Sequence, residues 1–313
     1  MRALASPASL KGVLSAGEAA AAMAEGLRRA GADVEEVPVA DGGEGTLDVL
    51  YAALGGDWRE AVVVDPLGRE VAARWLLLPG GAAAVESAEA IGLGRVAEEE
   101  RDVIRASSRG LGELIRAALA AGAEEMIVFL GGTATVDGGV GLLETLEPFS
   151  IRVRGACDVR APLLAAVWVF AGQKGATPDQ LRELERRLTE NPTLMAAAKL
   201  PGSGAAGGIG AALAALGAEL VEGAPLILDL IGFHERLRDV DLVVTGEGAL
   251  DQTTVLGKAP SAVYHAAQEA GVRCALFGGR VVGWETMEVY ELSGLPARAK
   301  DDLVELGERL GGS

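Results

Sequence analysis

Four glycine clusters in this sequence follow apolar runs or open helical stretches. They are Asp41-Gly42-Gly43-Glu44-Gly45-Thr46, Gly131-Gly132-Thr133-Ala134-Thr135, Gly202-Ser203-Gly204-Ala205-Ala206-Gly207-Gly208 and Thr245-Gly246-Glu247-Gly248. Glycine lets backbone amides approach an anion with no Cβ in the way, and a helix N-terminus adds partial positive charge there. Each cluster alone also reads as a turn between strand and helix that needs positive φ; four together favour anion binding. Lysine is scarce, five against 23 arginines, yet Lys11, Lys174 and Lys258 all lie beside glycine. A compact ammonium on a flexible stem suits a mobile phosphate. Acidic residues share the same loops: Asp41, Glu44, Asp137, Asp158, Glu247 and Asp251. Carboxylates repel phosphate unless a cation such as Mg2+ bridges the two, or unless one of them accepts the proton of an attacking hydroxyl. Helix capping and turn formation remain the competing explanation for each acid. His234 and His265 fall in helical contexts and read as non-catalytic.

Two familiar phosphate motifs fit poorly. Gly202, Gly204 and Gly207 match the dinucleotide fingerprint in letter, but the preceding Leu194–Leu200 is Ala-rich and helix-like where a strand is required. An NAD-linked oxidoreductase is therefore a weak alternative. Gly257-Lys258 is followed by Ala259 and lacks the upstream glycine of a Walker loop, so a standard P-loop is rejected.

The elements that must hold these residues alternate between strand and helix. Arg2–Ala5 reads as an opening strand, and Ser15 with Glu18 as a capping box for a helix running to about Arg29. Asp33–Val39 reads as a strand, with a second helix from Gly45. This is the rhythm of a parallel sheet with crossovers. Residues 58–86 break it with a hairpin, Ala61–Val64 and Val71–Leu78 around the turn Asp65-Pro66-Leu67-Gly68. Helical periodicity returns over Ser108–Ala121, and Met126–Leu130, Asp241–Thr245 and Val272–Phe277 read as buried strands. Thr177-Pro178-Asp179 starts a helix, and Ala297–Leu310 reads as an exposed terminal helix.

Bulk properties narrow the class. A chain of 313 residues favours two domains. Half of it is hydrophobic, only 4% aromatic, and 44 positions are glycine, which excludes a disordered, collagen-like or disulfide-rich chain. A net charge of −17 argues against nucleic acid and anionic membranes. Cys157 and Cys274 lie far apart, and with two histidines they make no zinc cluster. No stretch looks like a membrane span or a signal core, so a cytoplasmic protein with reduced thiols is expected. The residues alone thus point to an α/β enzyme that handles a phosphorylated anion with Mg2+.

The clusters, in their order, resemble the type I glycerate kinase family. Ser6-Pro7-Ala8-Ser9-Leu10-Lys11-Gly12 looks like its opening motif, and Val39–Thr46 matches its pattern throughout. Ser107–Ile115, Gly131–Gly141, Ala156–Val159, Gln173–Ala176, Gly204–Gly208, Thr245–Gly248 and Asp251 with Gly257–Pro260 follow in family order. The resemblance implies a two-domain α/β fold: a Rossmann-like parallel-sheet domain and a second, inserted α/β domain, with the site in the interdomain cleft. We expect the first to take residues 1–55, 100–147 and 235–313, and the inserted part to take 56–99 and 148–234.

The resemblance further implies transfer of the γ-phosphoryl group of ATP to D-glycerate with Mg2+, 2-phosphoglycerate being the favoured product. Carried over position by position, the expected catalytic residues are Asp41, Lys11 and Asp158. Gly131, Gly132, Thr133, Gly204, Gly207, Gly208, Lys174 and Lys258 would bind nucleotide. Ser9, Gly42, Gly43, Arg109 and Asp251 would bind substrate, and Asp158 with Glu247 would hold the metal. The oligomeric state is left open, a homodimer included. The chain departs from the family pattern at Ala8 (Asp in the family), Val136 (Asn), Ala161 (Asn), Ala249 (Arg) and Thr253 (Gln), and it runs short between Leu146 and Ile151. Those losses keep a second reading open, a non-catalytic relative that binds nucleotide or an organic acid without turnover.

Overall fold

The computed structural model describes residues 1–250, 258–282 and 288–312. It is an α/β fold with two sheets, and its contacts divide the chain into two compact units. One comprises residues 1–41, 48–53 and 224–313; the other comprises 42–47 and 54–223. The chain is shared discontinuously, as expected, but residues 100–147 fall in the second unit and 224–234 in the first, against the expected boundaries.

Among the described residues the first unit carries five parallel strands: β1 (Arg2–Ala5), β2 (Asp33–Glu36), β9 (Leu242–Glu247), β10 (Arg273–Gly278) and β11 (Val289–Glu291). Their order in the sheet is β11-β10-β9-β1-β2. The chain moves from β1 to one side for β2, then returns to the other side for the rest. That reversal puts a topological switch point between β1 and β9. The capping box at Ser15 is present, with Glu18 reaching back to the Ser15 amide at 2.8 Å, and it starts α1 (Ala16–Arg29). The final helix, Ala299–Gly311, is not the exposed element its charges suggest. One face, including Leu303, Val304, Leu306 and Leu310, is buried in a core shared with Met23 and Leu27 of α1.

The second unit holds β3 (Asp57–Val64), β4 (Glu70–Leu77), β5 (Ala82–Glu86), β6 (Glu125–Leu130), β7 (Arg152–Cys157) and β8 (Glu219–Glu222), in that spatial order. The expected hairpin is β3–β4, closed by Asp65, whose carboxylate accepts from the amides of Leu67 and Arg69. β4 pairs antiparallel with β5, and β5 to β8 are parallel. Because β6 lies between β5 and β7, its segment belongs with the hairpin rather than with β1. The sheet packs its own core, with Phe129, Leu130, Leu114 and Ile209 fully buried. The shortened stretch after Leu146 is closed by Phe149, whose amide donates to Leu216 O at 2.9 Å. Cys157 and Cys274 are free and buried, and burial pushes each thiol up to about 12. Among the described residues no helix is long and apolar enough to cross a membrane.

Candidate functional site

Ligands of open parallel sheets bind outside the carboxyl ends of the strands, at the switch point. In the first unit that position is a cavity of about 410 Å³. Ser9 and Lys11 enter it from the loop after β1, Glu247 and Ala249 from the end of β9, and Arg280 from beyond β10. Lys258, at the N-cap of the helix Ala259–Glu269, completes the polar wall, and its Nζ donates to Glu247 Oε1 at 3.5 Å. Glu247 is only 8% exposed, so its carboxylate keeps little water. The structure thus gathers four expected residues, Ser9, Lys11, Glu247 and Lys258, from three parts of the sequence. Ala249 leaves this wall without the guanidinium of the family pattern. Asp41 is partly buried and ends the first segment of the unit. Asp251 and Thr253 lie outside the described residues.

Beneath the cavity's strands are two unusual hydroxyls. Ser6 and Thr245 each follow the paired residues Ala5 and Val244 by one position. Both are fully buried, and among the described residues neither Ser6 Oγ nor Thr245 Oγ1 has a hydrogen-bond partner. Buried hydroxyls left so are uncommon and mark places that water or a bound group completes.

The second unit repeats the logic at its own strand ends. β5 ends in Glu86, β6 runs into Gly131, and β7 into Asp158. The Gly42-Gly43 segment crosses those ends at close range: a Cβ on Gly131 would stand 2.7 Å from Gly43 Cα and 3.2 Å from Asp158 Oδ2, and one on Gly42 3.3 Å from Ala156 O. Gly42, Gly43, Gly131, Gly132 and Asp158 are thus brought together, and at Gly131 glycine is demanded by backbone approach.

Other expected residues have partners within the protein. The Lys174 ammonium donates to Thr133 Oγ1 at 3.1 Å and to Thr135 O at 2.8 Å, and the residue is 5% exposed. Burial lowers it to about 8, with Asp158 and Asp137 opposing that shift. Asp137 accepts from Ser108 N and Oγ, Gly139 N and Gly141 N, so capping is its role. The Gly204 amide donates to Ala161 O and that of Gly208 to Gly204 O, so neither is set aside for phosphate. Gly207 packs so closely on Thr135 O that a Cβ would lie 1.9 Å from it. The exposed Arg109 pairs with Glu113 along its own helix at 2.9 Å. Val136 is fully buried in the apolar core, which suits valine where the family has Asn.

Glu86 escaped the sequence reading. Its carboxylate accepts from Gly45 N at 3.1 Å and Leu47 N at 3.3 Å, at the start of α2 (Thr46–Leu54). Desolvation raises it to about 7 against those hydrogen bonds, with Glu89 and Glu44 adding repulsion. An acid closing the apolar run Ala82–Val85 is the signal that could have found it.

These observations define a two-sheet α/β protein with a glycine-rich or charge-rich set of strand ends in each unit. Comparison with known proteins narrows this. The glycerate kinase family pattern matches residues 3–149 and 147–297. Glycerate 2-kinase of Escherichia coli K12 is 38% identical, covering 86% of this chain and 82% of its own. A glycerate kinase of Bacillus subtilis 168 is also 38% identical, covering 87% and 83%. A crystal structure from Salmonella typhimurium LT2, carrying the name glycerate kinase 2, overlays with a TM-score of 0.83 at 33% identity, over 99% of this chain and 97% of that one. The chain belongs to the glycerate kinase family and is an enzyme of the kinase class.

Proposed function

We propose that this enzyme transfers the γ-phosphoryl group of ATP to the 2-hydroxyl of D-glycerate, in the cytoplasm and with Mg2+. The observation that carries the reading is the family match across residues 3–297, with relatives named for glycerate kinase activity at 38% identity. Phosphoryl transfer asks mainly for an aligned hydroxyl and neutralised phosphate charge. Lys11 and Lys258 supply cations at the first unit's cavity. Asp41 orients the glycerate hydroxyl and takes its proton. The glycine segments 42–43 and 131–132 admit a small acid close to backbone, and Lys174 fixes Thr133 and Thr135 behind them.

The residues present fit Mg2+ of a particular kind. Among the described residues no group of three acids, histidines or cysteines could cage a metal. Mg2+ commonly uses one or two carboxylates and takes its other ligands from phosphate and water. In the first unit Glu247, nearly buried in the cavity lining, is the carboxylate that would hold it; in the second unit the corresponding carboxylate is Asp158, beside Gly131. When bound it neutralises phosphate charge.

The test is ADP release with purified enzyme, Mg·ATP and D-glycerate, with L-glycerate and no acid as controls, followed by NMR of the product. D-glycerate-dependent ADP with phosphate on the 2-hydroxyl is expected. Asp41→Asn should lower turnover about 10²-fold or more, as loss of a general base does; near-native turnover would remove Asp41 from that role. Ala249 in the cavity wall favours one second reading, a relative that binds without turnover. Mg·ATP binding with no acid-dependent ADP would select it.

A further inference from the structure

The first unit's cavity is lined by two kinds of side chain. Lys11, Lys258 and Arg280 bring positive charge and Glu247 and Asp302 carboxylates, while Leu10, Val13, Leu292, Leu295 and Pro296 are apolar. A three-carbon hydroxy acid has no use for so much apolar lining, and about 410 Å³ is ample for a far larger molecule. Leu295 is 57% exposed in this lining, so its side chain is open to a ligand. A ligand that satisfies both kinds of lining has a polyanionic end and a flat apolar end, the chemistry of a nucleoside triphosphate. The position agrees: this is the switch point between β1 and β9, outside the carboxyl ends of the strands. The helix Ala259–Glu269 starts at Lys258, so its partial positive charge adds to the ammonium there. The orphan hydroxyls of Ser6, just after β1, and Thr245, within β9, lie on the two strands that flank this switch point.

We propose that this cavity is the nucleotide seat, with the base against Leu292, Leu295 and Pro296 and the phosphates toward Lys11 and Lys258. The assignment rests on the reading of ATP as donor. It moves the nucleotide away from Gly131–Thr133 and Gly204–Gly208, where the family resemblance had suggested it. In the cavity, Lys258 trades its 3.5 Å partner Glu247 for phosphate oxygen.

Photolabelling of the full-length enzyme with 8-azido-ATP, followed by peptide mapping, locates the base. ATP-competable label within residues 10–13 or 292–296 is expected. Label within 131–139 or 202–208 would overturn the placement and leave ATP as donor intact. Calorimetric titration with ATP supplies a second reading. Leu295→Asp, on an exposed side chain that the fold does not need, should raise the ATP Kd at least tenfold and leave the glycerate KM within twofold. An ATP Kd within twofold of native, or a raised glycerate KM alone, overturns the nucleotide seat. If the native enzyme binds no ATP while phosphorylating glycerate from another donor, the donor reading itself falls, and the seat with it.

Discussion

Glu86 and Lys174 are buried ionisable groups whose protonation the fold must accommodate, and each holds a glycine loop. For Glu86 the sign of the effect is set by a folded pKa of about 7 against an ordinary 4.5. A raised carboxyl contributes stability that is fully present below about 4.5 and is lost as pH rises through 7. At about 1.4 kcal/mol per unit, the loss is on the order of 3 kcal/mol. Glu86→Gln keeps one acceptor for the Gly45 or Leu47 amide and cannot ionise. The native enzyme's Tm should therefore fall between pH 5 and 8 by several degrees more than the variant's, measured by circular dichroism. Parallel curves would show that Glu86 ionises without cost. Lys174 has the opposite sense: its folded value is lowered to about 8, so the cost of burying its charge is relieved as pH climbs from there towards 10.5. Of these two, the sequence marked Lys174 by its glycine neighbour but not what it touches. Glu86 looked like the polar end of a strand, because the amides it accepts from are about forty residues away.

Between elements, the close seam is α1 against Ala299–Gly311. A Cβ on Gly26 would lie 2.0 Å from Val304 O, and one on Gly307 2.6 Å from Met23 O. Those contacts are backbone, which cannot turn aside as a side chain can, so the helices themselves would have to separate. Gly26→Ala gains up to about 1 kcal/mol of helix propensity but incurs an overpacking cost of about 1–3 kcal/mol or more. It should lower the Tm by several degrees. Gly17, in the same helix with open space around it, is the control: Gly17→Ala should raise the Tm slightly. Both variants raising it would mean that the seam relaxes freely. This seam also shows where the sequence stops being informative. Local signals placed the elements well: the Ser15 box, the Asp65 turn, the Pro178 helix start and every buried strand they named lie where the spacing put them. Charges at Lys300, Asp301, Glu305 and Glu308 made the last helix look exposed. The domain boundary failed for a related reason. The run Met126–Leu130 shows that a strand is buried, but nothing local says which sheet it joins.

At the scale of the whole molecule, a surface with net charge −17 repels anionic substrates at long range, so the lysines and arginine at the cavity matter more than their number suggests. The chain also builds two separate cores: Leu4-strand neighbours such as Ala5, Leu27, Phe277 and Leu303 in the first unit, and Val85, Leu114, Val128 and Ile209 in the second. No strand is shared between the two sheets among the described residues. Cores of this kind unfold as separable cooperative units unless something couples them strongly. Scanning calorimetry should therefore resolve two transitions. Gly26→Ala should lower one of them, and Glu86→Gln should flatten the pH dependence of the other. ATP near a hundredfold its Kd stabilises whichever unit binds it by about 2.7 kcal/mol. With the nucleotide seated on β1 and β9, ATP should raise the same transition that Gly26→Ala lowers. If ATP raises only the Glu86-sensitive transition, the nucleotide belongs to the glycine loops of the second unit. A single transition that moves with all three perturbations would mean that the two cores, separate in their packing, stand or fall together.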